Sequence, residues 1–287
     1  MKNQEIGLKI TNRKVSNKSI ILNNQEATQP LKIGLINLMP QKEITEDQFF
    51  RLLSNSQEMI EVKLIKMTTY KSTTTDPAHL EKNYHTFSEI EAEHFDGLII
   101  TGAPIETIPF EEVSYWEELK QVMLWSQSKG VSTLNICWGA QAALYVYYGI
   151  EKIQYKDKLF GLFLQQAQTS NPLMANFPKE FSYPQSRHTG LDLKKIKQGS
   201  FEIIAKSQDL GPTILTSDKN RNIYILGHLE YDTDTLKKEY DRDLARNLSP
   251  ELPKNYFAKD DINQPIINNW EKYAHLFYKN WIKSLSK

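Results

Sequence analysis

Between residues 31 and 148 the chain alternates short apolar runs with longer amphipathic stretches, and this alternation limits the fold more than any other feature of the sequence. Leu31-Lys32-Ile33-Gly34-Leu35-Ile36-Asn37-Leu38 reads as the first core strand, stopped by Pro40. Asp96-Gly97-Leu98-Ile99-Ile100 and Val131 to Ile136 read as further buried strands. The intervening residues have helical periodicity. Thr45 is placed to cap a helix, with Gln48 at capping-box spacing and Phe49, Leu52 and Leu53 on its apolar face. Glu111 to Lys129 carries Val113, Trp116, Leu119, Val122, Met123 and Trp125 at mostly three- and four-residue steps, and Gly130 suits its C-cap. Gly139 to Tyr148 is predicted helical as well. Strand and helix in turn give the α/β class: a mainly parallel sheet flanked by helices.

The remaining segments are less regular. Ile60 to Ile65 alternates apolar and polar residues, which predicts a strand near a sheet edge. Residues 68–76 form a Thr- and Lys-rich loop, and Ser88 to His94 a short helix. Phe201 to Ala205, Thr213 to Leu215 and Asn222 to Leu226 are predicted strands. Thr233 to Arg246 and Asn268 to Ser284 are predicted helices, the last with Trp270, Tyr273, Phe277 and Trp281 on a face suited to core packing. Residues 1–30 are polar apart from Ser19-Ile20-Ile21-Leu22 and read as an N-terminal arm. Without repeats or an obvious linker, residues 1–287 are expected to form a single domain: the arm, then a catalytic core over 31–287 ending in the C-terminal helix.

Charge and cysteine content narrow the function. The 35 basic and 35 acidic residues cancel, so nothing in the net charge favours nucleic acid or an anionic membrane as partner. One cysteine excludes an intramolecular disulfide and a thiolate-rich metal site. A single thiol suits a reducing cytosol, and the N-terminus lacks the apolar stretch of a signal peptide. No run approaches the ~20 apolar residues of a membrane helix. A cytoplasmic protein is expected.

That one cysteine stands where a strand turns at once into a helix, in Leu134-Asn135-Ile136-Cys137-Trp138-Gly139-Ala140-Gln141. Such a turn lifts a side chain out of the sheet, as it does for the serine of G-x-S-x-G enzymes. It also sets the thiol at the positive end of a helix, which favours thiolate. The N–H of Trp138, with a second from the Gly102-Ala103 loop, would face an oxyanion. A cysteine on an apolar strand is otherwise a small buried hydrophobe. The later segment Asn222-Ile223-Tyr224-Ile225-Leu226-Gly227-His228-Leu229-Glu230 favours the nucleophile. On extended chain His228 and Glu230 point to one side, so the carboxylate can hold one ring nitrogen while the other faces the thiol. Cys137, His228 and Glu230 form the predicted catalytic set.

With those residues the chain resembles the class I glutamine amidotransferase-like (flavodoxin-like) fold, and more closely the homoserine O-acyltransferases of methionine biosynthesis, the homoserine O-succinyltransferase family. The matching stretches are Leu35-Ile36-Asn37-Leu38-Met39-Pro40, Gln48 to Asn55, Thr101-Gly102-Ala103-Pro104, Cys137-Trp138 with Gln141 to Leu144, Ser186-Arg187, and Gly227 to Asp232. The resemblance runs from about residue 31 to the C-terminal helix. It implies a ping-pong transfer in which an acyl-CoA acylates Cys137 and the hydroxyl of L-homoserine collects the acyl group, with no metal and no bound cofactor.

By the same resemblance Lys158, Ser186 and Arg242 contact substrate, Arg242 holding the homoserine carboxylate. Lys42 falls near the active site with no assigned role. Glu106 matches a position where glycine accompanies succinyl-CoA and glutamate accompanies acetyl-CoA, so acetyl-CoA is the expected co-substrate and succinyl-CoA the alternative. A homodimer is implied at the family level alone. Amidotransferase elbows usually carry glycine two residues before the cysteine. Here Asn135 stands there, while Gly139 keeps the glycine two after, which argues against glutamine hydrolysis. A cysteine hydrolase or a non-catalytic, redox-sensing member of the fold remain the rival readings.

Overall fold

In the computed structural model the described residues are 13–16, 18–23, 29–70, 72–192, 195 and 201–286. They build one sheet of twelve strands: β1 (Arg13–Ser16), β2 (Ser19–Leu22), β3 (Leu31–Ile36), β4 (Ile60–Ile65), β5 (Tyr84–His85), β6 (Gly97–Ile100), β7 (Ser132–Ile136), β8 (Lys152–Ala167), β9 (Glu180–Leu191), β10 (Glu202–Ser207), β11 (Gly211–Ser217) and β12 (Asn222–Ile225). Their order across the sheet is β1-β2-β4-β3-β6-β7-β12-β11-β10-β8-β9, with β5 beside β4. From β4 to β12 the neighbours are parallel, as the strand–helix alternation requires. Beyond β12 every pairing is antiparallel, so the sheet is mixed.

The described helices are α1 (Lys42–Leu53), α2 (Pro77–Asn83), α3 (Phe87–Ile90), α4 (Trp116–Lys129), α5 (Trp138–Tyr148), α6 (Thr235–Ala245) and α7 (Glu271–Leu285). Two apolar layers cover the sheet. One joins Phe49, Phe50 and Leu52 of α1 to Phe277, Tyr278 and Trp281 of α7. The other joins Leu119, Val122 and Met123 of α4 to Ala142, Ala143 and Leu144 of α5. The aromatic face of the C-terminal helix is therefore core: Trp270, Phe277 and Trp281 are fully buried. A Cβ on Gly97 would stand 2.9 Å from the Trp281 ring, so glycine is what lets α7 sit this close to β6.

Several elements differ from the sequence expectation. α1 begins at Lys42 with Gln41 as N-cap, and Thr45 lies inside the helix with its hydroxyl donating to the Gln41 carbonyl at 3.2 Å. The helix expected over Ser88 to His94 is the single turn of α3, closed by a capping box of Thr86 and Glu89. The helix expected from Glu111 starts at Trp116, after a 3-10 turn over Phe110–Glu112; it ends, as expected, at a left-handed Gly130 with φ 68°. β4 is not left at the edge, because the arm's hairpin β1–β2 pairs against it with Leu22 opposite Ile60. The long β8–β9 pair and α2 were not anticipated. The first half of β8, Lys152-Ile153-Gln154-Tyr155-Lys156-Asp157-Lys158, is mostly outside the core and carries no buried alternation. No described helix is long and apolar enough to cross a membrane.

Candidate active site

The loops that follow β6, β7 and β12 meet at the carboxyl ends of these strands, where parallel sheets place their sites. Cys137 forms the joint between β7 and α5 with φ 48° and ψ −113°. A non-glycine residue there is strained by roughly 1–3 kcal/mol. Two hydrogen bonds fix it: its N–H donates to the Ile225 carbonyl at 2.7 Å, and its carbonyl accepts from the Gln141 N–H at 3.1 Å. The elbow also needs glycine two residues on. A Cβ on Gly139 would lie 2.6 Å from the Thr101 carbonyl oxygen and 2.9 Å from that of Ile100, so only glycine lets α5 start against the end of β6. Gly102 lies beside the site: a Cβ there would be 3.2 Å from the Cys137 Cβ and 3.5 Å from the His228 Cε1. The Thr101 hydroxyl holds this loop, accepting from the Leu38 N–H at 2.8 Å and donating to the Gly102 carbonyl at 2.9 Å. Trp138, as the first residue of α5, has an N–H with no acceptor within the helix.

His228 is brought to the thiol by the turn after β12. Its N–H donates to the Pro184 carbonyl at 2.9 Å, and its ring stacks on Tyr231 with centroids 4.1 Å apart. Nδ1 lies 2.6 Å from Glu230 Oε1, which leaves Nε2 for the thiol, and Cys137 and His228 flank the same glycine, Gly102. All three residues are buried. Burial alone would drive protons off His228, yet the Glu230 carboxylate and the thiol outweigh it and hold the imidazole well above its usual value. Burial pushes the Cys137 thiol up, opposed by His228 and by the Arg187 guanidinium. A thiol reluctant to ionise is thus paired with a strengthened base. Arg51 fixes the segment from outside, donating to the Glu230 carbonyl at 2.9 Å and pairing with Asp232 at 3.1 Å.

Glu106 does not sit in a helix facing solvent. It lies in the turn after β6, half-buried, with Oε1 4.0 Å from Cys137 Sγ and Oε2 accepting from the His188 N–H. Burial raises its pKa, against the pull of His188, His228 and Arg187.

Lys158, Ser186 and Arg242 come together around two carboxylates of α6. Ser186 Oγ donates to Glu239 Oε2 at 2.5 Å, and Lys158 Nζ lies 3.1 Å from the same oxygen and 3.6 Å from Asp243. Arg242 pairs with Asp243 at 2.7 Å and remains about half exposed. Tyr231 joins this cluster to the base, since its ring stacks on His228 while its hydroxyl donates to Glu239 Oε1 at 2.7 Å. Burial raises the Glu239 carboxyl, but Lys158, Ser186 and Tyr231 prevail and keep it ionised below its usual value. Glu239 escaped the sequence reading. Its spacing of four from Asp243 on one helix was the available signal.

Lys42 belongs to a neighbouring buried cluster. Its ammonium donates to the Asn37 carbonyl and, at 3.4 Å, to that of Met39, which fixes the turn after β3. None of its hydrogen bonds reaches Cys137, His228 or Glu230. Burial lowers its pKa to about 8, with Glu46 opposing. Between pH 8 and about 10 the unfolded chain, with its ordinary lysine near 10.4, binds more protons at this site than the folded one. Stability contributed by Lys42 therefore rises with pH across that window. Denaturant titrations of Lys42→Met should lack this rise; a variant curve parallel to wild type between pH 8 and 10 would refute the assignment. Among the described residues no group of three or more His, Cys, Asp or Glu is arranged to hold a metal ion.

Known proteins place this arrangement. The family model described as homoserine O-succinyltransferase matches residues 9–286. A homoserine O-acetyltransferase of Streptococcus pneumoniae (strain Taiwan19F-14) is 46% identical over 256 residues, covering 88% of this chain and 82% of that protein. A homoserine O-acetyltransferase of Acetivibrio thermocellus is 46% identical, with 88% and 84% covered. Among solved structures, a glutamine amidotransferase from Thermotoga maritima superposes with a TM-score of 0.61 at 13% identity, covering 91% of this chain and all of that one. A glutamine amidotransferase from Methylobacillus flagellatus gives 0.54 at 14% identity, over 90% and 95%. At such identities these two speak for the fold alone, which is glutamine amidotransferase-like. Read with the curated relatives, the match along nearly the whole chain shows that the protein belongs to the homoserine O-succinyltransferase family.

Proposed function

We propose that the protein is a homoserine O-acetyltransferase of methionine biosynthesis, acting by a ping-pong mechanism through a Cys137 thioester. The observation that carries this reading is the Cys137–His228–Glu230 relay with a carboxylate, Glu106, 4.0 Å from the sulfur. His228 takes the thiol proton as sulfur attacks the thioester carbonyl of acetyl-CoA. The tetrahedral oxyanion is met by N–H groups of Trp138 and the Gly102-Ala103 loop. Collapse expels CoA, whose sulfur receives the proton from His228. The L-homoserine hydroxyl then gives its proton to His228 and attacks the acetyl-enzyme, and Cys137 leaves as thiol with that proton. One difficult exchange is divided into two easier ones. Lys158 and Ser186 face the acceptor, and Arg242 exchanges Asp243 for the homoserine carboxylate, which its planar fork can grip. CoA enters as co-substrate, and no bound cofactor is used.

Glu106 supports acetyl over succinyl. A succinyl carboxylate brought to ~5 Å from Glu106 would be repelled by about 3 kcal/mol at an effective dielectric near 20. That is on the order of a hundredfold in discrimination. Parallel assays with acetyl-CoA and succinyl-CoA, homoserine as acceptor, test it: acetyl-CoA is expected to be favoured, and Glu106→Gly to raise the succinyl-to-acetyl ratio of kcat/KM about a hundredfold. Preference for succinyl-CoA by the unaltered enzyme would overturn the acetyl assignment in favour of O-succinyltransfer.

A further inference from the structure

Arg187 is an unusual resident of the site. It lies on β9 between Ser186 and His188 and is 1% exposed. All its hydrogen-bond partners are neutral: Nε donates to Gln185 Oε1 at 3.0 Å, and Nη1 donates to the Tyr155 hydroxyl at 3.0 Å and the Thr189 carbonyl at 2.8 Å. Its guanidinium carbon stands 5.4 Å from the Tyr155 ring centroid. By contrast, Lys158 is paired with Glu239 and His228 with Glu230 within 4 Å. Arg187 has no such ion pair among the described residues. An arginine cannot shed its proton, so the fold holds a full positive charge in its interior without a contacting counter-ion.

The neighbours suggest what that charge serves. His188, the next residue, donates its N–H to Glu106, whose other oxygen faces the Cys137 sulfur. Thr189, whose carbonyl accepts from Arg187, also donates its hydroxyl to Gln141 at 2.8 Å, on the first turn of the helix that follows Cys137, so Arg187 is tied by one residue to Glu106 on one side and to the elbow helix on the other. The other titratable groups acting on Glu106 are Cys137, His188, His228 and Lys152 of β8. Those acting on Cys137 are His228, Glu106 and Tyr231. Of these, Lys152 is a lysine held at the Ile108 carbonyl and over the Phe110 ring. Arg187, as a guanidinium, keeps its charge at every working pH, and it is the one of these cations that is fully buried.

We propose that Arg187 is the fixed cation of the acyl site, a positioning residue that stabilises the thiolate of Cys137 and the carboxylate of Glu106 through charge rather than contact. It assists the first half of transfer, in which sulfur must bear negative charge while His228 holds the proton, and it keeps Glu106 ionised so that a carboxylate-bearing acyl group is refused. The second effect rests on the acetyltransferase reading above; the first does not.

The rate of Cys137 alkylation by iodoacetamide against pH tests the charge, since it needs no acyl donor and Cys137 is the only thiol. Arg187→Gln should move the alkylation midpoint up by about one pH unit, a tenfold loss of rate below the midpoint. Arg187→Lys, which restores the charge without the fork, should recover most of it. Gln185→Glu keeps Arg187 in place but pairs its charge, and should reproduce the upward shift; it also covers the case in which Arg187→Gln does not fold. A midpoint unmoved in folded Gln185→Glu, or in Arg187→Gln with a wild-type melting curve, would overturn the proposal. A shift in Arg187→Lys as large as in Arg187→Gln would also overturn it by showing that geometry, not charge, matters. An enzyme that fails to transfer acetyl at all would sink the reaction assignment and leave the thiol result standing.

Discussion

Cys137→Ala should give a folded protein that forms no acetyl-enzyme and makes no O-acetylhomoserine. The sulfur is the only group at the elbow able to carry the acyl chain, and the side-chain change leaves both backbone hydrogen bonds of residue 137 in place. Intact-protein mass spectrometry after incubation with acetyl-CoA, without homoserine, reads the result directly. Wild type should gain one acetyl group and the variant none. Residual turnover by the alanine variant above background would refute the covalent route. The backbone makes a companion expectation. Alanine inherits the φ of 48° and ψ of −113°, whereas glycine tolerates positive φ. Cys137→Gly should therefore be inactive yet less strained than Cys137→Ala, by roughly 1 kcal/mol in chemical denaturation. The chain accepts a strained residue at this joint, which is where a reacting side chain must be presented.

Glu230→Gln should cost a further large factor while leaving Cys137 in place. The carboxylate lies 2.6 Å from Nδ1 and is the main attraction that lifts the His228 pKa against burial. An amide can offer its N–H to Nδ1 and so favour the wrong tautomer, and it withdraws the charge that stabilises imidazolium. A fall in kcat of about 10²–10⁴ is expected, by analogy of role with other triads. The pH profile fixes the sign. With the Glu230 charge gone the imidazole loses its proton at lower pH, so the acidic limb should move down even as the plateau rate collapses. A fall in rate with an unmoved acidic limb would mean that Glu230 is a packing residue.

How much of this could be read from the chain follows the range of the interactions. β3, β6, β7 and α5 were legible because burial on both faces, or on one helical stripe, writes itself into consecutive residues. The elbow and His228-x-Glu230 were legible for the same reason, since each is a local geometry. The start of α1 was not. Thr45 and Gln48 carry the spacing of a cap, but the Lys42 ammonium folds back on the Asn37 and Met39 carbonyls and begins the helix earlier. β8 was missed because its first half extends past the core and the register breaks between Gln154 and Leu159, and β9 because its buried face is built largely from polar residues such as Gln185, Ser186, Arg187 and Thr189. The place of Glu239 depends on Tyr231, Ser186 and Lys158, three distant segments that no spacing in the chain connects. Glu106 gave its type to the sequence and its orientation only to the fold, through the His188 N–H on β9.

The strand that bears the thiol is flanked by β6, synthesised before it, and by β12, synthesised long after. By the time residue 148 has left the ribosome, the segments that shape the elbow are present except the one that supplies Ile225, whose carbonyl receives the Cys137 N–H. The base arrives with the same late segment, at His228. A growing chain therefore carries Cys137 before it has His228, and on the proposed reading the set is complete only when β12 pairs with β7. Completion of the sheet and completion of the site thus coincide, because β12 brings Ile225, His228 and Glu230 to the elbow together.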